Sequence, residues 1–240
     1  MSQAVRRTAL AERIASVRQR IDDAARRSGR EPGSVRLVAV SKFRTVEEIE
    51  EAIGAGATDI GESRVQEAEN KRRRLAGSGL TWHLVGRLQS NKAKKAVQIF
   101  DIIHSISTLD MARRVDRLAR DQNTTQPVLI QVQVAEEERK QGLPMSELYA
   151  DLELMAELTN LRVQGLMALP PYMPDPEEAR PSFARLRELR DTARARGLVG
   201  PAFTELSMGM SHDFEVAVEE GATLVRVGTA LFGERPASGP

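Results

Sequence analysis

Apolar positions in this chain follow two alternating spacings. Residues 35–41 (Val-Arg-Leu-Val-Ala-Val-Ser) form a short, β-branched apolar run of the kind that makes a buried strand. Leu10, Ile14, Val17 and Ile21 recur instead at three- and four-residue steps, which predicts a helix over the first thirty residues. Ser28-Gly29-Arg30-Glu31-Pro32-Gly33 stops it. Beyond that stop the two spacings alternate. Strands are predicted at 35–41, 58–62, 81–85, 102–106, 127–134, 163–169, 205–208 and 224–227. Helices are predicted at 45–53, with Thr45 as cap, and at 64–75, 91–99, 109–120, 145–158, 177–196 and 213–220.

Eight strands, each before the last followed by a helix, point to a parallel sheet closed into a (β/α)8 TIM barrel with an extra N-terminal helix. An open doubly wound sheet is the competing fold. The reading is of one domain over 1–240, with the helix at 1–30 and a flexible tail at 234–240. A chain of 240 residues with 41% hydrophobic content can fill one such core.

Charge and cysteine narrow the classes. Lysine plus arginine number 35 and aspartate plus glutamate 34, so nothing calls for nucleic acid or a membrane surface. With no cysteine, a disulfide scaffold and a thiolate nucleophile are excluded. Arg6, Arg7, Glu12 and Arg13 precede any long apolar stretch, unlike a signal peptide, and no run reaches the length of a membrane span. The expectation is a cytoplasmic monomer.

In a barrel, residues at the C-terminal ends of the strands face one mouth. Those residues include Lys42, Ser63, His83, His104, Met167, the segment Ser207-Met208-Gly209-Met210-Ser211, and Arg226-Val227-Gly228-Thr229. A lysine there has two readings. It ends the strand and snorkels into solvent, or it loses water, deprotonates and attacks an aldehyde. Small residues and hydroxyls in the last two loops suit a phosphate. A lysine facing an anion site matches a phosphorylated aldehyde, of which pyridoxal 5'-phosphate (PLP) is the common cofactor. The three histidines lack metal-ligand spacing, and His83 and His104 read as packed or hydrogen-bonded strand residues. No G-x-S-x-G, P-loop or G-x-G-x-x-G motif occurs.

Six blocks resemble the pyridoxal phosphate homeostasis protein family. They are Val38-Ala39-Val40-Ser41-Lys42, the segment from Gly61 to Glu67, the segment from Trp82 to Lys92, Gly165-Leu166-Met167-Ala168, the segment from Leu206 to Ser211, and the segment from Val225 to Gly233. They run in family order over about residues 35–233. The resemblance implies a barrel like the N-terminal domain of alanine racemase and Lys42 as the Schiff-base lysine. It places Ser207, Ser211, Gly228 and Thr229 around the cofactor phosphate and Arg226 near the ring. With Ser63, His83, Met167, Met208 and Gly209 these complete the expected PLP-binding set; no catalytic residue and no metal is assigned. Ser63 departs from the family's usual Asn, and His212 from its common Asp. The implied role is PLP homeostasis and amino-acid/keto-acid balance without robust catalysis, with apo PLP-dependent enzymes as recipients. A low-activity racemase is the runner-up, and a scaffold that uses the cofactor as a cue is the third reading.

Overall fold

Each strand of this chain pairs in parallel with the one before it, and the last pairs with the first. A computed structural model describes residues 3–135 and 142–234. The barrel strands are β1 (Arg36–Val40), β2 (Asp59–Glu62), β3 (Thr81–Leu84), β4 (Ile102–Ile106), β5 (Gln126–Gln133), β6 (Leu161–Met167), β7 (Glu205–Ser207) and β8 (Leu224–Val227). Parallel pairing of β8 with β1 sets Arg36 beside Leu224 and Ala39 beside Val227, closing the ring. The structure is therefore the eight-stranded TIM barrel, and the open sheet is excluded.

The helices are α1 (Gln3–Arg27), α2 (Val46–Gly54), α3 (Val65–Arg74), α4 (Ala93–Ile99), α5 (Leu109–Asp121), α6 (Leu148–Met155), α7 (Arg180–Ala195), α8 (Phe214–Glu219) and α9 (Thr229–Phe232). Thr45 begins α2 with a capping box, its hydroxyl accepting from Glu48 N–H and the Glu48 carboxylate accepting from Thr45 N–H. Thr108 caps α5 by accepting from Met111 N–H. Among the described residues no helix is long and apolar enough to cross a membrane.

Three local differences from the sequence reading have plain causes. The sixth strand starts at Leu161, because Leu161 and Arg162 already pair with Gln126 and Pro127. Leu143–Pro144 adds a two-residue extended segment beside Val132 and Gln133, too short to show a period. Strand β8 is also followed by a helix, α9, whose four residues are too few for a helical stripe. The expected tail at 234–240 lies, beyond Glu234, outside the described residues.

Alternation along the strands divides the core in two. Val38, Val85, Leu129, Met167 and Leu224 form a small apolar cluster inside the barrel. The larger core lies between strands and helices, where Ile60, Trp82, Leu84, Ile103, Phe183 and Leu206 meet the apolar faces of the helix layer. Helix α1 packs on α2, α8 and α9, over the seam where the chain's early and late elements meet. Arg30 fastens that end by donating to the carbonyls of Val218 and Ala222 at 3.0 and 2.8 Å.

Strand β6 carries a register shift opposite Val128 and Leu129. Gly165 sits there at φ +155°, and a Cβ on it would lie 1.9 Å from the Glu205 carbonyl oxygen. Backbone cannot yield as a side-chain tip can, so even one methyl would part β6 from β7. Gly165→Ala is expected to lower stability by at least about 3 kcal/mol, read as a shifted urea midpoint. An unchanged midpoint would show that the bulge relaxes freely.

Candidate functional site

The loops leaving β1, β2, β3, β6, β7 and β8 surround a cavity of about 480 Å³ at the C-terminal mouth of the barrel. Lys42, Ser63, Ser211, Arg226, Gly228 and Thr229, all expected from the sequence, line it. Val40, Arg44, Val85, Gly86, Leu169, Tyr172, Met210 and His212 complete the lining.

Lys42 stands in a tight turn closed by a hydrogen bond from Arg44 N–H to the Ser41 carbonyl at 3.0 Å. The next residue, Phe43, holds φ +65°, a left-handed conformation that costs a non-glycine residue roughly 1 kcal/mol. A buried charged network offsets that cost. Lys71 Nζ donates to the Ser41 carbonyl (2.7 Å), to Glu62 Oε1 (2.7 Å) and to Glu67 Oε1 (2.6 Å). Glu67 Oε1 also accepts from Phe43 N–H at 2.7 Å, and Ser41 Oγ donates to Glu62 Oε1 at 2.5 Å. Burial raises the Glu62 carboxyl above its ordinary range, and Lys71 offsets only part of that rise. Glu62 Oε2 has no hydrogen-bond partner. This network braces the Lys42 turn from the helix side of the sheet. Glu62, expected from its place at the end of β2 to face the mouth, is instead buried beside Lys71 and off the cavity wall; Lys71 was not expected, since it sits in a charge run that reads as a solvated helix face.

Across the mouth, β7 and β8 contribute a different arrangement. Ser211 Oγ accepts from the N–H groups of Gly228 (3.1 Å) and Ala230 (3.2 Å), which leaves its own O–H to donate. That contact ties the loop after β7 to the start of α9. Arg226 is 3% exposed. Its Nη1 donates to Ser207 Oγ at 2.6 Å and its Nη2 to the Ala168 carbonyl at 2.8 Å. Burial pushes it down to about 10, against the pull of Asp213. Among the described residues it has no direct carboxylate partner within ion-pair distance.

Five expected residues are not on the cavity wall. Ser207 and His83 are buried in the lumen, spent on hydrogen bonds described below. Met167 packs in the inner apolar cluster. Met208, one step along the strand from Ser207, turns outward into the helix-facing core. Gly209 holds φ +89°, and a Cβ there would lie 2.6 Å from the Ala217 Cβ, so it lets the loop pass tightly under α8.

His212, read from the sequence as either a modulator or a solvated cap, clamps the rim. Its ring lies 5.0 Å from the Tyr172 ring, and Nε2 donates to the Met173 and Pro174 carbonyls, each at 3.1 Å. Two carbonyl acceptors require the proton on Nε2. Tyr172 is 73% exposed and Leu169 also stands open, so the rim is apolar. Tyr172 and Arg44 lacked a sequence signal, because one lies in a proline-rich loop and the other in a turn of common composition. Arg44 binds the chain end of α9, donating to the carbonyls of Gly233 (2.5 Å) and Glu234 (2.9 Å).

The sequence matches the family model for the N-terminal domain of alanine racemase over residues 12–236. It is 45% identical over 224 residues to the pyridoxal phosphate homeostasis protein of Aquifex aeolicus (strain VF5), covering 93% of this chain and 97% of that one. The chain belongs to the pyridoxal phosphate homeostasis protein family. The family member from Escherichia coli (strain K12) is 39% identical over 229 residues, covering 94% and 97% of the two chains. A solved structure of PipY from Synechococcus elongatus PCC7942, with PLP bound, is similar at a TM-score of 0.82 and 40% identity, over 93% of this chain and 100% of that one. An alanine racemase of Clostridium difficile 630 shares the fold at a TM-score of 0.74 with 14% identity, over 96% of this chain and 61% of that one.

Two outcomes test the electrostatics of the site. Lys71→Met leaves Glu62 buried without its cation, and should cost about 3 kcal/mol at neutral pH in chemical denaturation. The double variant with Glu62→Gln should recover most of that loss. The second outcome concerns His104, which burial, His83 and Arg226 hold well below imidazole's ordinary 6.5. The unfolded chain therefore takes up a proton that the folded chain refuses. Stability is complete above pH 6.5 and falls as pH drops below it. Glu62 contributes with the opposite sign, so the measurement is the difference between wild type and His104→Gln from about pH 7.5 to 5. A constant difference would mean that His104 titrates alike in both states.

Proposed function

We propose that this protein binds PLP, with Lys42 as the Schiff-base lysine, and takes part in cytoplasmic PLP homeostasis and amino-acid/keto-acid balance without robust catalysis. What carries the reading is the opposition, across one cavity, of Lys42 and a buried cation beside an oxygen-seeking loop. PLP supplies an aldehyde that lysine amines capture, a phosphate and a pyridine ring.

The donor set fits each part. Lys42 sits on a turn held from behind by Lys71, so its reach into the cavity starts from a fixed backbone. Ser211, Gly228 and Thr229 form the hydroxyl and small-residue corner suited to phosphate. Val40, Val85 and Leu169 give an apolar wall for a ring, beneath the Tyr172 rim. Ser63 lines the β2 side, where a serine hydroxyl reaches less far than the family's usual asparagine. Gly209 and Met208 shape the phosphate loop from outside, and Met167 supports the site from inside the barrel.

Arg226 decides between holding and turnover. An arginine at the ring nitrogen donates a hydrogen bond and disfavours a proton there, where a carboxylate would favour it. The ring then withdraws electrons weakly, which suits a carrier that hands PLP to apo PLP-dependent enzymes. The racemase-like barrel supports the second reading, a low-activity amino-acid racemase.

Protein mixed with PLP and desalted should absorb near ~420 nm, and borohydride should mark one lysine. Lys42→Ala is expected to lose the band. Full colour in that variant would remove Lys42 from its role. Racemisation of alanine or serine well above free-PLP rates would decide for the enzyme, and PLP transfer to an apo-enzyme faster than release into buffer for the carrier.

A further inference from the structure

The barrel lumen holds a continuous file of polar side chains. Asp59 Oδ1 lies 2.9 Å from His83 Nε2, and His83 Nδ1 lies 2.9 Å from His104 Nε2. His104 Nδ1 lies 2.8 Å from Ser207 Oγ, which accepts from Arg226 Nη1 at 2.6 Å. These residues come from β2, β3, β4, β7 and β8. Strands β4 and β7 are not neighbours, so the His104–Ser207 contact crosses the lumen. The file runs from the first residue of β2, crosses the lumen, and ends at Arg226 in the cavity lining. His83, His104 and Ser207 have no exposed surface.

Its two ends fix its direction. Arginine can only donate, and an ionised carboxylate can only accept. Burial alone would raise Asp59, but hydrogen bonds from His83 and Thr58 outweigh it and hold the carboxyl below its ordinary range. His83 therefore carries its proton on Nε2. If both rings are neutral, His83 Nδ1 must accept, so His104 carries its proton on Nε2 as well. His104 Nδ1 then accepts from Ser207, whose oxygen accepts from Arg226. One protonation pattern satisfies every contact, with each proton displaced from Arg226 toward Asp59. The reverse pattern needs an imidazolium at His83.

We propose that Ser207, His104, His83 and Asp59 are positioning residues for Arg226, a one-way hydrogen-bond relay that fixes the guanidinium facing the cavity and connects it, across the lumen, to a buried carboxylate on β2. Nη1 and Nη2 are each held from behind, by Ser207 and by the Ala168 carbonyl. The guanidinium plane is thereby set, and its remaining N–H groups are directed by the protein before any ligand enters. Because Asp59 acts through three intervening side chains, and Asp213 acts on the cation only through space, no carboxylate competes for those N–H groups. Polarisation along the file strengthens each bond in turn. A neutral acceptor on the ligand, such as an unprotonated ring nitrogen, is the partner this arrangement selects.

The ligand part of this inference rests on PLP being the occupant; the relay itself does not. Long-range proton–nitrogen correlation spectra of the histidine-labelled protein without PLP should show His83 and His104 as Nε2–H tautomers at neutral pH. A Nδ1–H tautomer or an imidazolium at either ring overturns the relay. Asp59→Leu removes the terminal acceptor, away from the cavity wall, and should shift both rings toward Nδ1–H. Ser207→Ala should weaken PLP binding about tenfold and move the bound chromophore's maximum, with Ser207→Thr restoring both. Asp59→Leu should move that maximum in the same direction. A folded Asp59→Leu protein with an unmoved maximum would refute transmission along the file. If the wild type binds no PLP, the PLP reading fails while the tautomers still decide the relay.

Discussion

A guanidinium cannot be removed from water unless something answers its hydrogen bonds and its charge. Arg226 faces that constraint at the narrowest part of the structure, inside a closed ring of eight strands. Its hydrogen bonds are answered in the lumen by Ser207 and by the Ala168 carbonyl, although its register neighbour Val38 is apolar. Apolar filling such as Val38 and Leu129 would have left the cation orphaned. Hydrocarbon and polar side chains are thus interleaved in the inner barrel, with Val38 between Asp59 and Arg226.

Lys42 is supported on the opposite principle. Its turn is held from outside the sheet, by α3, through a compact cluster in which Lys71 meets two carboxylates directly. A direct pair is stiff and tolerates a strained neighbour such as Phe43. The Arg226 support is extended, with no direct pair. The mouth therefore has one wall braced by direct ion pairs and one by neutral hydrogen-bond acceptors. His212 and Tyr172 join two loops of the second wall at the rim.

The barrel was legible because each strand and its helix have different hydrophobic periods, and a parallel strand buried on both faces reads as a continuous apolar run. Pro127 to Val134 and the residues around Val38 show this plainly. Boundaries slipped where pairing rather than pattern set the limit, as at Leu161, and α9 was too short to carry a stripe. In the site, Lys42, Ser63, Ser211, Arg226, Gly228 and Thr229 were found by their place at strand ends. Position along the strand alone could not tell which residue of Ser207-Met208-Gly209 faces the cavity, the lumen or the helices; that depends on one-residue alternation and on the tight passage at Gly209. Asp59 and His104 could not be joined to Arg226 from the sequence, because their link crosses the lumen between strands far apart in the chain. Lys71 looked solvated because its neighbours Arg72, Arg73 and Arg74 are charged.

The pairing of β8 with β1 also has a temporal meaning. Lys42 and the group formed by Arg226, Gly228 and Thr229 are brought together only when this seam closes, across more than three-quarters of the sequence. On a ribosome, the first strand waits while the next seven strands are synthesised, and α1 waits with it for α8 and α9. A chain that still lacks β8 cannot assemble the cavity. Whatever the cavity binds is therefore acquired after the ring has closed, and its presence marks a molecule whose seam has formed.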